Sequence, residues 1–319
     1  MQHHLVRALV LALAVIIASA AAAADRVRVG KAVPFAWTFT PIDVGIAVGT
    51  FAKQGLELEV TGFAGDARVQ QALVSDSIDF GLGSGAGMGF LAKGVPAKAV
   101  AAMAGAPMNM SMVVLYNSPI KTLDDIKGKK IGITTVGSLT DWLLKRVVAQ
   151  KKWAPTDVTA VTVGGMESTK AALKTEQIDG VVIALELGYA LEAAKEWRVV
   201  APLAPFAPDF HTHVIFARDE LIANKPALVE RFLRGWFETI AFMRANKERT
   251  VEITAKVLNL DPAVISRVYD EQIKIFTSDG RFDPKALVVI RQSLVEMGIL
   301  QQVPDDSVMF TTRFLPVTF

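Results

Sequence analysis

An α/β chain folded as two similar lobes around a shared cleft is predicted by three features of the sequence. The first is a pattern repeated at a spacing of one hundred residues. Gly65, Ala72, Leu73, Ile78 and Asp79 return as Gly165, Ala172, Leu173, Ile178 and Asp179. Both copies read strand, Gly turn, helix, Ile-Asp, strand, and two such βαβαβ units in one chain read as two lobes. Upstream, Val29-Gly30 is matched by Ile131-Gly132, two residues off that register. The second feature is GKKIGITTVGSLTDWLLK, Gly128 to Lys145, which reads as a strand turning through Gly into a helix. The third is the chain from Asp219 onward, helical in pattern and closed by a Pro-punctuated tail.

In the Gly128–Lys145 stretch, Lys130 to Thr134 is the strand, Gly137 the turn and Ser138 the expected N-cap of an apolar helical period over Leu139 to Val148. Unpaired N–H groups and the helix dipole make such a turn suited to a small anion or polar head group, or leave it an ordinary βα turn. Gly132 and Gly137 have P-loop spacing, but Ser138 stands where the Lys would be, so nucleotide triphosphate is rejected. Two α/β lobes face each other with strand carboxyl ends and helix N-termini on the cleft.

Taken in order, Arg26 to Val33 alternates as a strand. PFAWTFT (Pro34 to Thr40) is a loop whose aromatics stack on a ligand or plug a core, Trp37 being the candidate. Pro41 to Gln54 is a helix closed by Gly55, and Leu56 to Thr61 a strand. Asp66 is expected to cap the helix Ala67 to Ser75. Ile78 to Leu82 is a strand running into Gly83-Ser84-Gly85-Ala86-Gly87-Met88-Gly89. That run lacks the position and the following acid of a dinucleotide fingerprint, and reads as backbone approached closely by a ligand, with Ser84 offering its hydroxyl. Val95 to Met103 and Met110 to Tyr116 are strands, the second expected to cross between lobes. Thr122 caps a turn at Leu123 to Lys127. In the second lobe follow a strand at Asp157 to Val163, a helix at Ser168 to Thr175, a strand at Gly180 to Ala184 and a helix opened by Glu186, then a strand at Trp197 to Leu203. Glu186 either meets a cationic ligand group or favours its helix N-terminus. His211 and His213 fall on one face of a strand to Ala217, yet without HExxH or a Cys partner they read as hinge residues rather than a metal pair. Helices are expected at Pro226 to Asn246, Lys247 to Leu258, Asp261 to Phe276 and Pro284 to Met297, covering the first lobe.

Composition narrows the class. Thirty-four Lys and Arg against 32 Asp and Glu give no basic surplus for nucleic acid and no charge run for an interaction tail. Arg7, the apolar stretch Ala8 to Ile17 and Ala22-Ala23-Ala24 before Asp25 read as a cleaved secretory signal peptide, the alternative being a retained anchor. The apolar stretch is short of the roughly 20 residues that span a bilayer. Cys is absent, so disulfides, thiolate metal sites and a lipidated N-terminal Cys are excluded, which suits the periplasm.

The chain resembles the solute-binding proteins of ABC importers in the nitrate/sulfonate/taurine group, a family that includes thiamine-pyrimidine-precursor-like members. The resemblance rests on PIDVGIAVGTFAKQGLELEV, ALVSDSIDFGLGSGAGMGFLAKG, IKTLDDIKGKKIGITTVGS, ALKTEQIDGVVI and VIFARDELIANKPALVERFLRGW, and spans essentially the chain beyond residue 24. It implies a type II periplasmic-binding-protein fold: residues 1–24 signal peptide, 25–111 lobe one, 112–215 lobe two and 216–319 the mostly helical return to lobe one. It implies a monomer in the periplasm that closes on a small ligand and docks on a membrane permease, with no cofactor, metal or nucleic acid. Carried over by position, the cleft holds Trp37, Thr38, Gly65, Asp66, Ser84, Gly85 and Asn109 from one side, and Gly137, Ser138, Thr140, Met166 and Glu186 from the other. The acid at position 186 stands where such proteins often carry aromatics. It argues against nitrate and for a taurine-like or heterocyclic ligand. Two other readings are an enzyme, since a synthase of the thiamine pyrimidine precursor resembles this family, and an extracytoplasmic sensor. Such an enzyme wants a reactive Cys or His in the cleft, and beyond residue 24 the chain offers only His211 and His213.

Overall fold

The computed structural model describes residues 24–319, so the candidate signal peptide, but for Ala24, lies outside the described residues. Two five-stranded sheets carry the chain. The first is built from β1 (Asp25–Lys31), β2 (Leu56–Gly62), β3 (Phe80–Ser84), β4 (Ala97–Ala104) and β10 (His213–Arg218), in the order β2-β1-β3-β10-β4. The second uses β5 (Met110–Leu115), β6 (Lys130–Ile133), β7 (Thr159–Thr162), β8 (Gly180–Ala184) and β9 (Trp197–Pro202), in the order β7-β6-β8-β5-β9. The two orders are the same pattern. Each sheet has three parallel strands, then one strand antiparallel to them (β10 in the first sheet, β5 in the second), then an edge strand.

The repeated residues do the same work in both lobes. Ile78 and Ile178 fill the space that a Cβ at Gly30 and at Gly132 would need, the δ carbons lying 2.7 and 2.8 Å from those positions. Asp79 accepts from the Arg28 N–H at 2.9 Å, and Asp179 from the Lys130 N–H at 2.8 Å, each pinning the start of its lobe's central strand. The hundred-residue period therefore records a packing requirement.

Helices α1 (Pro41–Val48), α2 (Thr50–Lys53), α3 (Asp66–Val74) and α4 (Met88–Ala92) serve the first sheet, and α5 (Leu139–Gln150), α6 (Met166–Lys174) and α7 (Leu185–Ala193) the second. The helix expected over Pro41–Gln54 is broken at Gly49, whose φ of +83° is left-handed. The C-terminal helices follow as α8 (Asp219–Asn224), α9 (Pro226–Ala245), α10 (Lys247–Leu258), α11 (Pro262–Gln272), α12 (Pro284–Glu296) and α13 (Asp306–Met309). The buried stripe of α9 packs on lobe one, where Phe232 stacks on Phe80 at 4.0 Å. These helices do more than cover one lobe, because α11 and α12 also reach lobe two. The Tyr189 hydroxyl on α7 donates to Glu271 at 2.8 Å, and Trp142 on α5 donates to the Ser293 hydroxyl at 2.8 Å.

The strand expected to cross between lobes does not. All of β5 pairs within the second sheet, and the chain crosses in the segments 105–109 and 203–212 on either side. Boundaries drawn at 111/112 and 215/216 fall inside β5 and β10, because a strand contributed to the far sheet carries no composition shift. We place the lobe divisions in those two segments. They are tied together, Thr212 bonding to the Gly105 carbonyl through its N–H (2.8 Å) and hydroxyl, and the Leu203 N–H to the Met110 carbonyl (2.9 Å).

Candidate functional site

The strand carboxyl ends of both sheets converge on a cavity of about 50 Å³ between the lobes. Small-molecule sites commonly measure 300–1,000 Å³. The lobes are thus drawn together, as the bonds across the cleft also show. The wall is mostly apolar, with Phe35 and Phe39 from lobe one and Ile133, Val163 and Ile183 from lobe two. Its polar groups are few: Asp66, Ser84, Asn109, Thr134, Thr140 and Thr169, with His213 at the hinge.

Asp66 is fully buried and belongs to α3 as its first residue, not its cap. Its carboxylate accepts from the Ser84 N–H (2.7 Å) and hydroxyl (3.0 Å), and across the cleft from the Leu139 N–H at the start of α5 (3.4 Å). The glycine run makes room for it. A Cβ at Gly83 or Gly87 would stand 2.6 or 2.9 Å from Asp66 Oδ1, while Gly85 is pressed against the His211 carbonyl. That run therefore seats a buried acid instead of offering bare backbone to a ligand. Burial pushes the Asp66 carboxyl up, and the hydrogen bonds from Ser84 and Leu139 pull it back.

Glu186 sits in the first turn of α7, buried completely, and accepts from the Trp37 N–H of lobe one at 2.5 Å. Its second oxygen has no partner among the described residues, and burial pushes the carboxyl up to about 7. Glu186 thus bridges the lobes. Trp37 turns its ring away from the cavity, into Tyr269 and Phe276, both at 6.1 Å between centroids.

Asn109 closes the hinge side. It has no solvent exposure, and neither amide atom has a partner among the described residues. Its carbonyl accepts from the Leu185 N–H at 2.7 Å, joining the hinge to the start of α7. His213 packs edge-on against Phe39 at 4.5 Å. Burial pushes it down to about 3, so the ring is neutral, and Nδ1 has no partner among the described residues. His211 stands outside β10 and accepts from the Asp283 N–H at 2.8 Å, so the two imidazoles do not share a strand face. Among the described residues, no cluster of three metal-ligating side chains occurs.

Of the residues carried over by position, Gly65, Asp66, Ser84, Asn109 and Thr140 line the cavity, while Trp37, Thr38, Gly85, Gly137, Ser138, Met166 and Glu186 stand outside its wall. Ser138 does not cap α5 with its side chain. Its hydroxyl donates to the Thr135 carbonyl at 2.7 Å, and Asp141 takes the Gly137 N–H instead at 2.8 Å. Sequence reading missed Phe35, Phe39 and Thr134. PFAWTFT marked the right loop, but which aromatic faces the cleft depends on the 3₁₀ turn over Trp37–Phe39. Thr134 is signalled only by standing just past the carboxyl end of β6.

The chain belongs to the NMT1/THI5-like family, whose model matches residues 37–250. It is 30% identical over 239 residues to a candidate binding protein of Brucella abortus (strain 2308), covering 74% of this chain and 73% of that one. A candidate thiamine biosynthesis protein of Haemophilus influenzae is 28% identical over 226 residues, 69% of this chain and 67% of that one. The fold is the two-lobed periplasmic-binding-protein fold. The alkanesulfonate-binding protein SsuA from Xanthomonas axonopodis pv. citri superposes with a TM-score of 0.75 at 17% identity, over 88% of this chain and 95% of that one. The desulfurization enzyme DSZB shares the fold at TM-score 0.63 and 15% identity, over 91% and 97% of the two chains.

Proposed function

We propose that the chain is the exported solute-binding component of an ABC importer. It captures a small organic ligand, taurine- or sulfonate-like or heterocyclic, by lobe closure and delivers it to a permease in the inner membrane. The observation that carries this reading is Asn109, a buried hinge amide with both atoms unpaired among the described residues, on the wall of an apolar interlobe cavity. Buried polar groups are nearly always hydrogen-bonded, and a few convergent polar groups in an apolar cleft are how small-molecule sites fix orientation. Export is supported by the signal-peptide pattern at residues 1–24 and by the absence of Cys. Binding is favoured over catalysis because burial lowers His213, the imidazole on the cavity wall, to about 3, leaving it a poor proton acceptor near neutral pH, and the chain has no thiol.

The test is thermal unfolding of the chain from Asp25 onward against sulfonates, taurine, nitrate, bicarbonate, aromatic carboxylates, pyrimidines and flavins. A ligand at 100 times its Kd adds about 2.7 kcal/mol of stability. A shift confined to one chemical class is the expected result. No shift with any class, from protein freed of carried-over compound, overturns the reading.

A further inference from the structure

We infer that Asp66 sets the charge class of the ligand: its carboxyl already takes the Leu139 N–H, the first of α5, so the cleft turns away sulfonates and other anions and takes a molecule that is neutral or cationic where it meets lobe one. This rests on the binding-protein reading above and narrows it.

The N–H groups and dipole at the start of a helix attract an anionic head group. Here the Leu139 N–H already faces Asp66, an acid of the protein's own, at 3.4 Å. The acid is fixed in place by both donors of Ser84, at 2.7 and 3.0 Å, and the Ser84 hydroxyl accepts in turn from the Gly87 N–H at 3.1 Å. Gly83 and Gly87 supply the cradle that any Cβ would fill. A sulfonate aimed at the same N–H would find it already taken by an Asp66 carboxyl oxygen, one acceptor set against another, with no basic side chain to offset it. Among the described residues, no Lys or Arg lines the cavity, and the buried Lys31 nearby in lobe one is paired with Asp43 at 2.9 Å. Glu186, two residues past the wall residue Ala184, adds a second buried acid. Independently, the unpaired Asn109 amide on the same wall presents a donor and an acceptor, and His213 Nδ1 is also without a partner among the described residues. Those groups suit a ligand that both donates and accepts hydrogen bonds.

The experiment is calorimetric titration of the mature wild type and of Asp66→Asn with ethanesulfonate and with sulfate, beside the neutral and cationic members of the thermal panel. Asp66→Asn keeps an oxygen to accept from the Ser84 N–H. Asp66→Ser is the second variant should the first not fold, judged by circular dichroism. Wild type is expected to ignore both anions, and the variant to bind ethanesulfonate at least tenfold more tightly than wild type. Sulfonate binding by wild type overturns the assignment of Asp66 while leaving the importer reading intact. Failure of a folded variant to gain any anion affinity overturns it equally. A wild type that answers to no ligand of any class, beside a variant that gains sulfonate, sinks the importer reading and keeps Asp66 as the gate.

Discussion

The behaviour of Glu186 follows from where its two oxygens lie. One accepts from the Trp37 N–H across the cleft, the other has no partner among the described residues, and the side chain has no contact with solvent. Burial favours the uncharged acid and moves its pKa from about 4.5 to about 7. For an acid whose folded pKa is raised, the associated stability is fully present below the ordinary value and is lost as pH rises through the folded value. The window is therefore about pH 4.5 to 7. At roughly 1.4 kcal/mol per pH unit, the whole effect is of order 3 kcal/mol. Glu186→Gln keeps an acceptor for Trp37 and removes the titration. Urea unfolding across pH 4.5–8 should show wild type losing stability relative to the variant as pH rises. Parallel pH profiles would refute it.

At the scale of an element, α5 shows how a helix end is satisfied when the obvious cap is engaged elsewhere. The Ser138 hydroxyl is held by the Thr135 carbonyl and lies 2.8 and 3.0 Å from the hydroxyls of Thr134 and Thr140. Asp141, the third residue of the helix and almost fully buried, accepts from the Gly137 N–H at 2.8 Å and from Lys145 at 2.9 Å. Asp141→Ala should cost about 1–2 kcal/mol, in the range of a lost N-cap. Denaturant midpoints at unchanged m-value measure it, and a cost near zero would show that the Gly137 N–H finds another acceptor. The helix itself was legible in the sequence, because its apolar period and preceding Gly are local properties. Its cap was not, because a backbone carbonyl and two neighbouring hydroxyls compete for the same serine. The same division runs through the site. Gly30, Ile78 and Asp79 and their lobe-two counterparts were readable from a period, and the period proves to be a packing unit. The seat of Asp66 was unreadable, since its partners Ser84 and Leu139 lie 18 and 73 residues away.

The whole molecule is held shut from two sides. Within the cleft, Asp66 to Leu139 and Trp37 to Glu186 join the lobes. Outside it, the C-terminal helices of lobe one grip two of the lobe-two helices that begin at the site, α5 and α7. On α5, Trp142 stacks on Phe210 of the second crossing at 3.9 Å and donates to Ser293. On α7, Tyr189 donates to Glu271 while Arg267 lies 3.6 Å over its ring. Because α5 and α7 run from the cavity to these outer contacts, lobe rotation that opens the cleft must strain or break them. Each hydrogen bond contributes roughly 1 kcal/mol net, and about 1.4 kcal/mol is tenfold in an equilibrium. Trp142→Phe with Tyr189→Phe keeps both aromatic contacts and removes both bonds. The double variant should then populate the open form more, bind its ligand roughly tenfold more weakly, and lose affinity through faster dissociation. Small-angle scattering of the ligand-free protein should give a larger radius of gyration for the variant than for wild type, with the difference vanishing at saturating ligand. Unchanged affinity with an unchanged radius would mean that the outer contacts ride with the hinge through the motion, leaving Asp66 and Glu186 alone to hold the cleft closed.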